Sequence, residues 1–233
     1  MRIFPLGDNA LTIEFGNEIS AELNQKARSV AAFFDALPFP GFIESVPAYS
    51  SATIFYNCIS VRNAFPNFPT AFEAVKALVQ KAPEDIIVAN DQKSRFVEIP
   101  VIVGANTSLD LDEISAHAGI PRDETLKIFF KKTYFVYMLG FLPGFAYMGE
   151  VDERIATPRK QTPRLRVPKG SIGIAGKQTG IYPLESPGGW QIIGRTEIEM
   201  FTPDSDEPCL LRPGDQVRFV RIDSKKLEVI CEK

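Results

Sequence analysis

Histidine, cysteine and tryptophan are scarce in this chain: one, three and one among 233 residues. The lone histidine, His117, can form neither a zinc cluster nor, without a nucleophile beside it, a catalytic triad, so it is read as a helix-surface or locally bonded residue. Cys58, Cys209 and Cys231 are far apart and lack CxxC spacing, which suits small buried hydrophobes in a reducing cytosol. Positive charge is not in excess either. Lys plus Arg is 26 against 29 Asp plus Glu, a net charge of −3. That argues against generic nucleic-acid binding, which rests on counterion release by a basic surface. Long apolar runs are missing: the most apolar stretch, Tyr134 to Met148, contains Gly140, Pro143 and Gly144. It falls short of the ~20 residues of a spanning helix. The opening MRIFPLGDNALTIEFG places Pro, Gly and Asp where a signal peptide needs an apolar core. No GKS or GKT occurs, so a Walker-type phosphate loop is excluded. The expectation is a cytoplasmic protein with no membrane contact, no nucleic-acid partner and no metal.

What the chain does have is ordinary globular material, 45% apolar and 24% charged residues. A chain of this length buries roughly 70–75% of its unfolded surface and needs no disulfide to fold. Composition changes half way along: between Gly140 and Gly214 fall 11 of the 16 glycines and 9 of the 18 prolines. Helices tolerate neither residue inside, so this half is read as strands joined by tight turns. Upstream, Ala10–Phe15 alternates as a strand, and Asn17 caps a helix running to Pro38. Val46–Tyr56 reads as one strand. Thr70 and Glu73 make a capping box for a helix that ends before Pro83. Strands are expected at Ile86–Ala89 and Phe96–Val103, with a polar connector, Asn90 to Arg95, between them. The predicted organisation is a small α+β N-terminal domain over residues 1–93 and a mainly-β barrel domain over 94–233.

In the second half, Asp110 and Glu113 form a capping box for Leu111–Ala118, and Pro121 opens a second helix reaching about Lys132. This pair has helix-turn-helix rhythm, but Arg122, Asp123 and Glu124 would face the DNA, and two acids there oppose phosphate binding. The preferred reading is a pair of structural helices packed on the barrel. Strands follow around Phe135–Phe141, Ser171–Ala175, Trp190–Arg195, Val217–Ile222 and Leu227–Cys231. Arg212-Pro213-Gly214-Asp215 is a turn, and Asp223–Lys226 joins a terminal hairpin.

The stretch between Ile155 and Leu184 holds six cations and no acid: Arg159, Lys160, Arg164, Arg166, Lys169 and Lys177. Arg159 and Lys160 are read as a solvated basic face. Arg164 and Arg166 share one face of an extended segment, where two guanidinium forks suit a carboxylate or phosphate. Together with Gln178 and Arg195 they make a candidate anion pocket. Gln178-Thr179-Gly180 and Ser186-Pro187-Gly188-Gly189-Trp190 are read as turns whose Thr179 and Ser186 hydroxyls and Gly188 and Gly189 amides face that ligand. Phe141, Phe145 and Tyr147, set among turn-forming residues, are the candidate partner interface. No catalytic residue is assigned.

The motifs YFVYMLGFLPGFAYM (134–148), ATPR (156–159), RVPKGSIGIAG (166–176) and QTGIYPLESPGGWQIIGRT (178–196) carry a resemblance. With the opening PLGDNALTIEFG, they are similar to the family of the B subunit of bacterial 5-oxoprolinase, once labelled allophanate hydrolase subunit 1. The same family contains the sporulation histidine-kinase inhibitor KipI. The resemblance implies a cyclophilin-like β-barrel in the C-terminal domain, with no isomerase activity carried over. It implies the C and A subunits of 5-oxoprolinase as partners, the former resembling the other half of a carboxyltransferase domain in urea carboxylases. ATP would be used by the assembled complex, with no cofactor bound by this chain alone. The alternative it implies is a KipI-like inhibitor that grips a sensor histidine kinase without chemistry; an orphaned scaffold protein is a third. The sequence departs from the family pattern at Phe129, where many relatives carry histidine, and at Gly149-Glu150, where Gly-Gly is usual. The acid/base assignment stays open.

Overall fold

The structure, a computed structural model, describes residues 1–82 and 94–222. The expected strand at Ile86–Ala89, the connector from Asn90, and the terminal hairpin with Cys231 lie outside the described residues. The chain divides into two compact units, Met1–Lys93 and Ser94–Lys233.

The first unit contains β1 (Arg2–Pro5), β2 (Ala10–Glu14), α1 (Ala21–Ala36), β3 (Phe42–Pro47), β4 (Ser51–Tyr56), α2 (Cys58–Ala64) and α3 (Ala71–Lys81). Its antiparallel sheet has the order β1-β2-β4-β3. Leu11, Ile13, Ile54 and Tyr56 from the sheet meet Ala27, Val30 and Phe34 of α1, which recur at helical spacing, in one apolar core. The Thr70 hydroxyl accepts from the Glu73 amide at 3.1 Å, the cap read from the sequence. Two expectations are corrected. The cap of α1 is Ser20 and not Asn17. Val46–Tyr56 is not one strand, because Ala48–Ser50 turn the chain back, with the Ala48 amide donating to the Ser51 carbonyl.

The second unit contains β5 (Phe96–Ile102), α4 (Leu111–Ala118), α5 (Arg122–Lys131), β6 (Thr133–Leu139), β7 (Ala146–Gly149), a short 3-10 turn (Glu153–Ile155), β8 (Arg164–Val167), β9 (Ser171–Ala175), β10 (Gln178–Ile181), β11 (Ser186–Gly188), β12 (Gln191–Arg195) and β13 (Gln216–Ile222). Seven of these strands close a barrel in the order β10-β7-β6-β13-β5-β12-β9, and β8 and β11 pair as a separate ribbon. The barrel's parallel pair is β5 with β13, in register from Phe96 opposite Gln216 to Ile102 opposite Ile222. Alternate residues point inward: Ile99 and Val101 from β5, Val217 and Phe219 from β13, Ile172 and Ile174 from β9. Leu111 and Ile114 of α4 and Leu126, Ile128 and Phe129 of α5 join the same core, so the helix pair packs on the barrel as expected. Gly119 ends α4 with φ +67°, a conformation that suits a residue without Cβ.

Gln178–Gly180 and Ser186–Gly188, expected as turns, are strands. Glycine here makes room instead of making turns. A Cβ on Gly173 would lie 2.8 Å from the Trp190 Cβ, and one on Gly188 would lie 2.9 Å from ring carbons of Tyr182. Both glycines let an aromatic ring lie flush against a strand.

Candidate functional site

Outside the barrel core, Phe145, Val167, Ala175, Tyr182, Trp190 and Ile192 form a second apolar cluster. Phe145 is its centre, with ring centroids 5.4 Å from Trp190, 5.3 Å from Tyr182 and 4.8 Å from Tyr147. The first two contacts are edge-to-face, the arrangement ring quadrupoles favour. These rings bound a cavity of about 230 Å³, whose wall is completed by Phe141, Arg159, Pro163, Pro187, Gly188 and Gly189. Phe141 stands at the mouth, 59% exposed, with φ +69°. That is a strained conformation for an aromatic residue and is typical of sites held in place by their surroundings.

Arg159 supplies the charge of the pocket. Its guanidinium carbon lies 5.7 Å from the Trp190 ring centroid, within cation–π range. The backbone around it is held on several sides. The Gly176 amide donates to the Thr157 carbonyl at 2.7 Å, the Gln191 side-chain amide to the Pro158 carbonyl at 3.2 Å, and the Lys160 amide to the Gly189 carbonyl at 2.7 Å. Burial pushes the phenols of Tyr147 and Tyr182 up, and the positive charge of Arg159 partly opposes this at both. Both hydroxyls are therefore protonated at neutral pH.

The other five cations of the acid-free stretch are matched by carboxylates from elsewhere in the unit. Asp110, fully buried, accepts two parallel bonds from Arg164 at 2.6 and 2.7 Å, one from Lys160 at 2.8 Å and one from the Ile192 amide at 2.7 Å. Burial pushes this carboxyl up, but the bonds from Arg164, Ile192 and Lys160 outweigh it and hold it well below the usual carboxylate range. Lys160 also reaches Glu113, Lys169 reaches Glu199, Lys177 reaches Glu153, and Arg166 lies 3.7 Å from Glu185. Arg159 has no carboxylate partner among the described residues. The Asp110–Glu113 capping box is thereby corrected. Asp110 makes no side-chain bond to the amides of α4, because both its oxygens serve the cations and Ile192.

The predicted anion pocket is not assembled as one site. Arg164 is turned onto Asp110, while the Arg166 side chain is 82% exposed. Arg195 stands opposite Ser171 at one end of β9, and Gln178 opposite Ala175 at the other. Four residues of strand put those ends about 13 Å apart. Arg195 pairs with Glu197 and keeps a buried Nε without a partner. Thr179 is buried, its hydroxyl donating to the Gly173 carbonyl at 2.9 Å. Ser186 is buried with an unpartnered Oγ. Only Gly188 and Gly189 of the predicted set line the aromatic cavity. The candidate interface residues are also separated: Phe141 is exposed and Tyr147 half-buried, but Phe145 is 1% exposed and forms the cavity floor. Phe145 is therefore not a surface anchor. Phe129 is buried, stacked 5.2 Å from Phe219, with its carbonyl accepting from the Tyr134 hydroxyl, a place in the core. Sequence reasoning takes Arg159 for a solvated cation and Asp110 for a helix cap, and gives Tyr182 and Trp190 no place in a site. The structure puts Arg159, Tyr182 and Trp190 at the cavity and Asp110 on Lys160 and Arg164.

Among the described residues, no group of three or more His, Cys, Asp or Glu is placed to hold a metal, and no helix is long and apolar enough to cross a membrane.

Comparison with known proteins gives this barrel a family. Residues 1–211 match the carboxyltransferase domain, subdomain C and D, and the chain belongs to that family. It is 44% identical over all 233 residues to the B subunit of 5-oxoprolinase from Bacillus subtilis, covering 97% of that protein. It is 37% identical over 219 residues to the B subunit of 5-oxoprolinase from Escherichia coli O157:H7, covering 94% of this chain and 95% of the other. The solved urea carboxylase of Kluyveromyces lactis superposes with a TM-score of 0.77 at 22% identity, over 99% of this chain and 22% of that one. That likeness shows a shared fold alone. The closed barrel is of the cyclophilin-like kind expected from the sequence.

Proposed function

We propose that this chain is the B subunit of an ATP-dependent 5-oxoprolinase, acting with the C and A subunits to convert 5-oxo-L-proline to L-glutamate. The observation that carries the proposal is the 44% identity, end to end, with a protein named as such a subunit. The chemistry explains the need for ATP. A five-membered lactam is a resonance-stabilised amide, and phosphorylating its oxygen makes the carbon electrophilic and creates a leaving group. Transfer of the phosphoryl group releases ADP. One water then adds to the carbon and the C–N bond breaks, opening the ring to an acyl phosphate, and a second water hydrolyses that to the carboxylate and phosphate. Positioned cations stabilise the charge that develops.

ATP is assigned to the assembly and not to this chain. The sequence has no Walker-type loop to cradle its phosphates. The test is reconstitution with purified homologues of the C and A subunits. Glutamate is expected only when all three chains, 5-oxo-L-proline and ATP are present, and none from this chain alone. Three folded chains that release no glutamate, while this chain by itself blocks autophosphorylation of a sensor histidine kinase, would replace the enzyme reading with the inhibitor one.

A further inference from the structure

We propose that the Trp190 cavity is the seat of the cyclic carboxylate substrate, with Arg159 gripping the carboxylate and the aromatic walls enclosing the ring. The identity of that ligand as 5-oxo-L-proline rests on the function proposed above; the location and chemistry of the site rest on the structure alone.

Three observations converge. Arg159 is the cation of the acid-free stretch left without a carboxylate among the described residues, and it lines the cavity. A planar guanidinium set beside an indole face is pre-organised to bind a carboxylate through two parallel bonds. The remaining wall is apolar and aromatic: Phe145, Tyr182 and Trp190 are each at most 5% exposed. It suits the methylene face of a small ring and leaves the charged end at Arg159, near the mouth. The size of the cavity suits a compact ligand. Rigidity supports the same assignment. The residues on either side of Arg159 are pinned by backbone bonds to Gln191 and Gly189, and the Lys160 side chain is held by buried Asp110. Little conformational freedom is left for a ligand to remove on binding.

The chain carries its own reporter, since Trp190 is its single tryptophan. Titrating the full-length protein with 5-oxo-L-proline is expected to give a saturable change in Trp190 fluorescence. Equal concentrations of 2-pyrrolidinone, the same ring without the carboxylate, are expected to give none. Arg159→Met is expected to weaken binding by about 10- to 100-fold, the effect of losing a charge-assisted pair. Arg159→Lys should retain part of it. Arg159 is exposed, so both variants should unfold at the wild-type temperature, and circular dichroism checks this. A folded wild-type chain that gives no saturable change overturns the proposal, as does binding that Arg159→Met leaves unaltered. In the reconstituted enzyme, Arg159→Met with an unchanged KM for 5-oxo-L-proline overturns the site while leaving the activity standing. Saturable, Arg159-dependent binding without glutamate release from the wild-type assembly supports the site and removes the activity.

Discussion

The Asp110 cluster and the Trp190 cavity draw on the same run of chain, residues 157–195, yet they treat charge in opposite ways. In the first, two cations converge on one buried carboxylate that is also bonded to the Ile192 amide, and every charge is answered within the fold. In the second, one arginine faces an aromatic cavity and no acid answers it. Arg159 and Lys160 are neighbours in sequence, yet the lysine is structural and the arginine is available. The difference teaches that a basic stretch is best read cation by cation, by asking which of them the rest of the fold neutralises.

The contrast can be broken most forcefully at Asp110. Asp110→Ala leaves Arg164 and Lys160 without their common partner and should cost about 3–5 kcal/mol, as breaking a buried pair does. Urea unfolding at pH 7 measures it. The effect should depend on pH with a definite sign. Because the folded pKa lies below the ordinary Asp value of about 3.9, the carboxylate's stabilisation is complete above that pH. It is lost as pH falls through the folded value, so the gap between wild type and Asp110→Ala should narrow below about pH 4. A constant gap would mean that charge is not what Asp110 contributes.

A smaller effect is expected on the cavity side. Gly188→Ala drives a methyl group into the Tyr182 ring and should cost about 1–3 kcal/mol through overpacking. It should also shift the emission of Trp190, next to Tyr182 in the wall, with no change in acid sensitivity. The smallest effect belongs to Arg166→Ala. Its side chain is 82% exposed and only loosely near Glu185, so stability should change by no more than about 0.5 kcal/mol. A drop in melting temperature comparable to that of Asp110→Ala would place Arg166 with the structural charges.

The sequence made some of this legible. The Thr70 cap, the helix pair with Gly119 between its members and the strand content of the glycine- and proline-rich half follow from local rules, and the structure has them. Asp110-x-x-Glu113 obeys the same capping rule and misleads, because the partners that claim Asp110 lie 50 and 54 residues downstream. Gly188 reads as a turn former and Gly173 as an ordinary strand residue, whereas the use of both is steric and depends on where Tyr182 and Trp190 fold back. The cavity walls come from four separate segments, around Phe141–Tyr147, Arg159–Pro163, Tyr182 and Pro187–Trp190. No spacing within any one of them signals a pocket. The motif resemblance points to the right segments but does not say which of their cations stays unpaired.

The parallel pairing of β5 with β13 has a consequence for how the molecule comes into being. Partners in this ladder are 120 positions apart, as Arg218 and Glu98 are, so the barrel cannot close until the ribosome has released nearly all of it. The sheet of the first unit joins strands that all lie within Arg2–Tyr56 and can form while synthesis continues. During that interval β5 and β6 are without the strand that later sits between them, each with an open edge able to pair with another chain. A nascent chain stalled before Gln216 therefore leaves both edges open, and chaperone demand should persist until β13 has emerged.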